Sequence, residues 1–235
     1  MSPHITELEP IEYTLVPEKK LAYLVISKSG CTSIKATLAR YYGIDEPSLS
    51  VHEGTFHKEH TVYGELTGTA ESYFTFTFVR NPLARLVSCY KERIQASLPP
   101  PYKPDYFAAY YPYAKTYGLC MGLSFTEFAD RVVQISDDQA DRHFKTQSST
   151  IYRTDGSCRV DFIGHLETIA TDWPPLAKRF DLAENMIKAN RATRTLRKDD
   201  YREYYTQALL EKVYAYYQKD FVHLGYTESF NDLIS

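Results

Sequence analysis

The chain alternates short apolar runs, polar turns, and longer stretches whose apolar residues recur every third or fourth position. Leu21 to Ile26 is an uninterrupted apolar run, the pattern of a buried strand. It stops at Ser27-Lys28-Ser29-Gly30-Cys31. From near Thr32 the positions Ile34, Leu38 and Tyr41 or Tyr42 follow at helical spacing, and Gly43 marks the end. Tyr73 to Val79 alternates Phe74, Phe76 and Phe78 with Thr75 and Thr77, the period of two of a strand. Arg80-Asn81-Pro82 makes the next turn, with Pro82 where the first turn of a helix tolerates it. Leu83, Leu86, Val87, Tyr90 and Ile94 then continue at helical spacing. The same layout thus occurs twice: strand, polar turn, helix.

The remaining pattern is less regular. Ser48 to His52 fits a second, short strand, and residues 53 to 72 fit loop with a short helix. Between residues 99 and 122, Pro99, Pro100, Pro101, Pro104 and Pro112 break any long element. The same stretch carries Tyr102, Tyr106, Tyr110, Tyr111, Tyr113 and Tyr117. Ser124 and Glu127 form a capping box before Phe125, Phe128, Val132 and Ile135. Val160 to Gly164 predicts a late strand, followed by a helix near Glu167 to Asp172. Asp200 and Glu203 are candidate caps for a last helix bearing Tyr204, Ala208, Leu209, Val213 and Tyr216. Strands alternating with helices predict an α/β fold, a central parallel sheet flanked by helices, as one domain over residues 1–235.

Composition narrows the possibilities. A length of 235 residues suits one α/β domain, and 43% hydrophobic with 24% charged residues supports a packed core. A formal net charge of -3 argues against a general nucleic-acid or anionic-membrane binder. No run of about 18 apolar residues predicts a membrane span. Met1 to Pro10 has neither a basic nor an apolar leader region, so a cytoplasmic protein is expected, or a Golgi-lumenal one if a leader has been trimmed. Cys31, Cys89, Cys120 and Cys158 form no C-x-x-C pair, so a zinc site is not expected and reduced thiols are. A Cys120–Cys158 bridge stays open.

The two turns carry the chemistry. A strand running into a small polar turn that opens a helix makes a phosphate cradle, with backbone N–H groups and the helix dipole aimed at an anion. Ser27 to Ser33 is not a Walker A loop, because its lysine precedes its only glycine. It offers Lys28 at the strand end, Gly30 for close backbone approach, and the hydroxyls of Thr32 and Ser33. Arg80 stands where the second strand stops, the edge at which α/β sheets bind ligands. Ser88 lies about two helical turns further on. A guanidinium fork with a hydroxyl grips a phosphate monoester. One turn with a lysine and one with an arginine point to a doubly phosphorylated nucleotide held at both ends.

These segments resemble the sulfotransferases that use 3′-phosphoadenosine 5′-phosphosulfate (PAPS), most closely the carbohydrate-type branch. Its phosphosulfate loop has a Pro-Lys-x-x-x-Ser/Thr-Ser/Thr pattern; here Ser27 stands at the proline position, followed by Lys28 to Ser33. Its 3′-phosphate motif, F-x-R-N/D-P-x-x-R-x-x-S-x-Y, is matched throughout by Phe78 to Tyr90. His143 to Gln147 is similar to the branch's H-W-x-P-Q stretch, with Thr146 for proline. Asp161 to Glu167 is similar to its D-F-I-G-x-x-E strand. Tyr201 to Tyr226 is similar to its terminal Y-x-x-Y-Y…D-F-x-x-x-G-Y region.

The resemblance implies a P-loop-like phosphosulfate site and a set of roles. Lys28 contacts the bridging oxygen and stabilises charge on the leaving 5′-phosphate. Ser29, Gly30, Cys31, Thr32 and Ser33 hold that phosphate. Arg80 and Ser88 hold the 3′-phosphate, and Arg197-Lys198 resembles the pair that closes over it, with Asp199 where a glycine is usual. No metal is required, because a sulfuryl group carries less charge than a phosphoryl group. In-line transfer needs a positioned hydroxyl, a base, and a cation at the leaving oxygen. The base is expected among His52 and His57, with His60 behind them and Glu53 and Glu59 nearby. Residues 99–122 are a candidate acceptor lid, unless those tyrosines simply pack, and His143 and Gln147 are candidates to line the acceptor side. A glycan or glycolipid hydroxyl is the expected acceptor. Two alternatives stand beside this reading: a nucleotide-dependent kinase, and a non-catalytic module that binds the product nucleotide PAP.

Overall fold

The computed structural model describes residues 10–44, 50–95, 107, 109, 111, 113–186 and 201–226. Its first half runs β1 (Glu12–Val16), β2 (Leu21–Leu24), α1 (Cys31–Tyr41), α2 (Thr55–His60), β3 (Thr61–Tyr63), β4 (Phe74–Val79) and α3 (Pro82–Arg93). The second half runs α4 (Ala114–Tyr117), α5 (Phe125–Val132), α6 (Gln147–Ile151), β5 (Phe162–His165), α7 (Ile169–Phe180), α8 (Gln207–Tyr216) and α9 (Gln218–His223). The described residues gather in two compact units. One holds residues 10–80 and 150–186, the other residues 81–149 and 201–226.

The first unit contains the sheet, in the order β3-β1-β2-β4-β5. Its parallel part is β2-β4-β5, as the two strand–turn–helix segments predict. The sheet as a whole is mixed, because β1 pairs antiparallel with both β2 and β3. A 3-10 turn, Pro17–Lys19, and Lys20 join β1 to β2, and a connection that short permits only antiparallel pairing. Sequence pattern did not single out β1, since Glu12 and Thr14 interrupt its apolar run; both are buried. Ser50–His52 is a 3-10 turn rather than the expected strand, and residues 48 and 49 lie outside the described residues. The place beside β1 is taken by β3 instead.

Leu21 and Tyr23 lie in register with Phe74 and Phe76 on one face of the sheet. Tyr23 stacks on Phe76 at 5.1 Å, and Trp173 of α7 sits 6.3 and 6.2 Å from Phe76 and Phe78. Ile34 and Leu38 of α1 join the same core. Helix α7 runs on to Phe180 through Pro174 and Pro175, well past the expected stop at Asp172. Each interior proline costs a backbone hydrogen bond and roughly 3 kcal/mol. Burying Trp173, Leu176 and Ala177 offsets this, at about 1.5–3 kcal/mol for each large side chain. Gly164 of β5 is required by packing: a Cβ there would run into the Phe78 ring.

The second unit is helical. Asn81 Oδ1 caps α3 by accepting from Leu83 and Ala84 N–H at 3.0 and 3.2 Å. The Ser124–Glu127 capping box opens α5 as predicted. Helix α8 begins at Gln207 under a Thr206 cap rather than at Glu203, which lies in a 3-10 turn; Asp200 lies outside the described residues. Arg85 of the Phe78–Tyr90 motif is buried and clamps the backbone, donating to Lys145 O at 2.7 Å and Arg142 O at 2.8 Å. Asp220 accepts from the N–H groups of Gln147 and Ser148 at 2.9 and 2.7 Å, the start of α6. Burial pushes its carboxyl above the ordinary range. In the stretch read as an acceptor lid, Phe107 and Tyr111 are core residues, and Tyr117 donates to Gln139 Oε1 at 2.7 Å. Tyr102, Tyr106 and Tyr110 lie outside the described residues.

The turn clamped by Arg85 carries His143, buried between Asp141 and Arg93. Its Nδ1 is 2.7 Å from Asp141 Oδ1, and its Nε2 is 3.0 Å from an Arg93 NH2 group. Arginine can only donate, so Nε2 accepts and Nδ1–H donates to Asp141: the imidazole is neutral. Burial lowers its pKa from the usual 6.5 to about 4. Below pH 6.5 the unfolded chain gains a proton on this histidine that the folded chain refuses until about pH 4. Stability is therefore lost as pH falls through that window, by up to about 3 kcal/mol. Denaturant midpoints measured from pH 7 to 4 should drop more steeply for the wild type than for His143→Gln; parallel curves would remove His143 from this role.

Among the described residues no cysteine is in a disulfide, so Cys120 and Cys158 are not bridged. No described helix is long and apolar enough to cross a membrane.

Candidate functional site

Strands β2, β4 and β5 run parallel, so their C-terminal ends open on one edge of the sheet. Beyond β2 the chain forms the turn Ser27 to Gly30, with Ser27 and Ser29 buried. Lys28 has φ 70° and Gly30 φ 82°, both left-handed, while Ser29 between them does not. Alternation of this kind curls successive backbone N–H groups into an anion-binding nest. A lysine held at positive φ costs on the order of 1 kcal/mol. That strain sits on the residue expected to meet the leaving group.

Gly30 is the N-cap of α1, and no side chain caps the helix there. The first-turn N–H groups and the helix dipole therefore face the nest. Gly30 is also tightly placed: a Cβ would come within 2.9 Å of Leu166 Cδ1, just after β5. Behind the loop, Lys35 of α1 is fully buried and forms an ion pair with Glu12 of β1. This pair anchors α1 to the sheet.

Arg80 follows β4 and is half-buried. One of its NH1 protons is donated to Lys28 O at 3.3 Å. The two cationic turns are thus joined through the backbone of the first. Thr32, in the first turn of α1, lies with its Oγ1 2.9 Å from His52 Nε2. The structure brings Lys28, Ser29, Gly30, Cys31, Thr32, Ser33, Arg80 and His52 into one region of the sheet unit.

His57 faces another way. Its Nδ1 lies 3.0 Å from Thr61 Oγ1 and 3.4 Å from Lys35 Nζ, and its Nε2 lies 3.1 Å from Tyr63 OH. Lysine can only donate, so Nδ1 accepts. His60 packs against Tyr42 and Phe56 at 4.1 and 4.8 Å. Glu53 and Glu59 are exposed. Ser88 is buried on α3 in the helical unit. Arg197 and Lys198 lie outside the described residues.

Four residues were not singled out by the sequence pattern. His165 ends β5 in register with Val79 and so stands on the same sheet edge as Arg80. Leu166 walls Gly30. Lys35 and Glu12 drew no reading from the sequence and meet as a buried ion pair. Only the alternation Glu12, Thr14 and Val16, all on one strand face, hints that β1 buries polar groups.

A family model described as the Sulfotransferase family matches residues 12–227, across both units. No curated protein and no solved structure matches the chain. The family match spans far more than half of the sequence, and its extent includes every part of the phosphate-cradle region described above. The chain belongs to the sulfotransferase family, enzymes that transfer sulfate.

Proposed function

We propose that the chain transfers a sulfuryl group from PAPS to a hydroxyl of a carbohydrate, with His52 as base. The observation that carries this reading is the junction of two cationic turns, where Arg80 donates to the carbonyl of Lys28 beside an uncapped helix N-terminus. PAPS is anionic at both its 5′-phosphosulfate and its 3′-phosphate, which suits one cradle and one separate guanidinium. The backbone amides of residues 29 to 33, with the hydroxyls of Thr32 and Ser33, hold the 5′-phosphate, and Arg80 holds the 3′-phosphate. PAPS supplies an activated sulfuryl group on a phosphate leaving group. Lys28 Nζ stabilises the negative charge that gathers on the leaving oxygen.

His52 takes the proton from the acceptor hydroxyl as the new oxygen–sulfur bond forms. Two observations support His52 over His57. His52 Nε2 already meets a hydroxyl, that of Thr32, within the cradle. Both ring nitrogens of His57 face internal partners, and a proton on its Nδ1 would point at the Lys35 ammonium. The carbohydrate acceptor is supported by the likeness of Phe78–Tyr90, His143–Gln147 and Asp161–Glu167 to the carbohydrate-type branch. The family match runs across both compact units, which supports reading the chain as one functional domain.

Calorimetric titration tests the donor. Arg80→Ala should weaken PAP by roughly 10- to 100-fold, the worth of a charge-assisted phosphate contact. It should leave adenosine 5′-phosphosulfate, which lacks the 3′-phosphate, within a few-fold. A parallel loss for both ligands would take Arg80 out of this role. A wild-type preference for ATP over PAP would overturn the donor assignment.

A further inference from the structure

We infer a second oxyanion site in the sheet unit, centred on Arg179 and remote from the phosphate cradle. A cleft of about 500 Å³ opens where β4 begins, lined by Phe74, Arg153, Arg159, Asp161 and Arg179 among others. Phe74 starts β4 and Val79 ends it. The cleft and Arg80 thus lie at opposite ends of one strand, about 15–20 Å apart at the rise of an extended chain.

Three arginines line the cleft together with the carboxylates of Glu71 and Asp161, and what sets Arg179 apart is the kind of partner it has. Arg153 and Arg159 share a single carboxylate, Glu65, at 3.1 and 2.7 Å. Asp161 is engaged by the backbone N–H of Thr75 at 2.7 Å. Glu71 is engaged by the N–H of Gly68 at 3.2 Å. Among the described residues no carboxylate comes within ion-pair distance of Arg179. Its guanidinium carbon instead sits 4.1 Å from the Phe74 ring centroid and 5.2 Å from that of Phe180. Stacking on aromatic faces fixes the plane of the fork and leaves its N–H edge to solvent. Arg153 and Arg159 are already paired with Glu65 and the lining also carries Glu71 and Asp161, so the exposed guanidinium of Arg179 is the group that matches a sulfate ester, a phosphate or a carboxylate. That oxyanion is either a free ion or a group carried on an acidic oligosaccharide.

The test uses the full chain and two probes, inorganic sulfate and a sulfated, uronate-bearing tetrasaccharide, titrated into wild type, Arg179→Gln and Arg179→Lys. Thermal melting of each variant reports folding independently of any ligand. The site predicts that Arg179→Gln loses one binding event per chain or weakens it about tenfold or more, at an unchanged melting midpoint. Arg179→Lys should keep part of the affinity through its charge. Binding of sulfate alone would assign the site to a free anion, and binding of the tetrasaccharide alone to a carried group. If neither probe binds, or if Arg179→Gln binds both as wild type does, the proposal is overturned and Arg179 only packs on Phe74 and Phe180.

Discussion

Lys28→Ala should lower kcat about a thousandfold while changing PAP affinity less than about tenfold. The magnitude is that of removing one preorganised donor from a developing negative charge, about 3–4 kcal/mol. The small effect on PAP follows from what the backbone does. The carbonyl of Lys28 accepts from Arg80, and the φ alternation at Lys28 and Gly30 shapes the nest. Alanine leaves both in place. The strain at Lys28 gives a second, opposite reading. Lys28→Gly relieves a left-handed φ of 70° and should melt as high as wild type or a few degrees higher while being equally inactive. Single-turnover rates with PAPS, set beside calorimetric PAP affinities, separate the two effects. Turnover at the wild-type rate, or a PAP loss as large as the loss of turnover, would refute the leaving-group role.

His52→Ala should cost about 10²- to 10⁴-fold in kcat, the range of general base catalysis, with PAP binding unchanged. The acid limb of the pH–rate profile should vanish in this variant, since a base works only when unprotonated. His57→Ala makes the contrast. Its ring links α2 to Thr61 and Tyr63 and approaches the buried Lys35–Glu12 pair. Its loss should lower the melting midpoint and spare most of the turnover per folded molecule. The reverse pattern, with a dead His57 variant and an active His52 variant, would exchange the two assignments. The test is sharp because both histidines lie in one short segment and differ mainly in what they face.

Local pattern was enough for much of this protein. The apolar run at Leu21, the Phe–Thr alternation at Phe74, the glycine of the first turn and the proline after Arg80 each depend on neighbours a few residues away. Their elements formed where expected, down to the N-terminus of α1 and the capping box of α5. The same local signals exposed Lys28 and Arg80, because a cation at a strand end followed by a helix start is a sequence-local arrangement.

Other features rested on residues far apart in the chain, and no local signal could carry them. Strand β1 was hidden because Glu12 is buried against a distant partner, Lys35, more than twenty positions on. Helix α7 passes two prolines because Trp173 finds Phe76 and Phe78, nearly a hundred residues earlier. The ranking of His52 and His57 was likewise beyond the pattern. Both are polar residues in a mixed segment, and only folding turns one toward Thr32 and the other toward Lys35. Arg85 shows the same division within a single motif. Its spacing places it on the helix after Arg80, but its hydrogen bonds to Arg142 and Lys145 make it a clamp on a distant turn. Backbone preferences act over a few residues and can be read in order along the chain. Burial, ion pairing and the choice of hydrogen-bond partner depend on which segments meet, and that was decided only when the chain closed on itself.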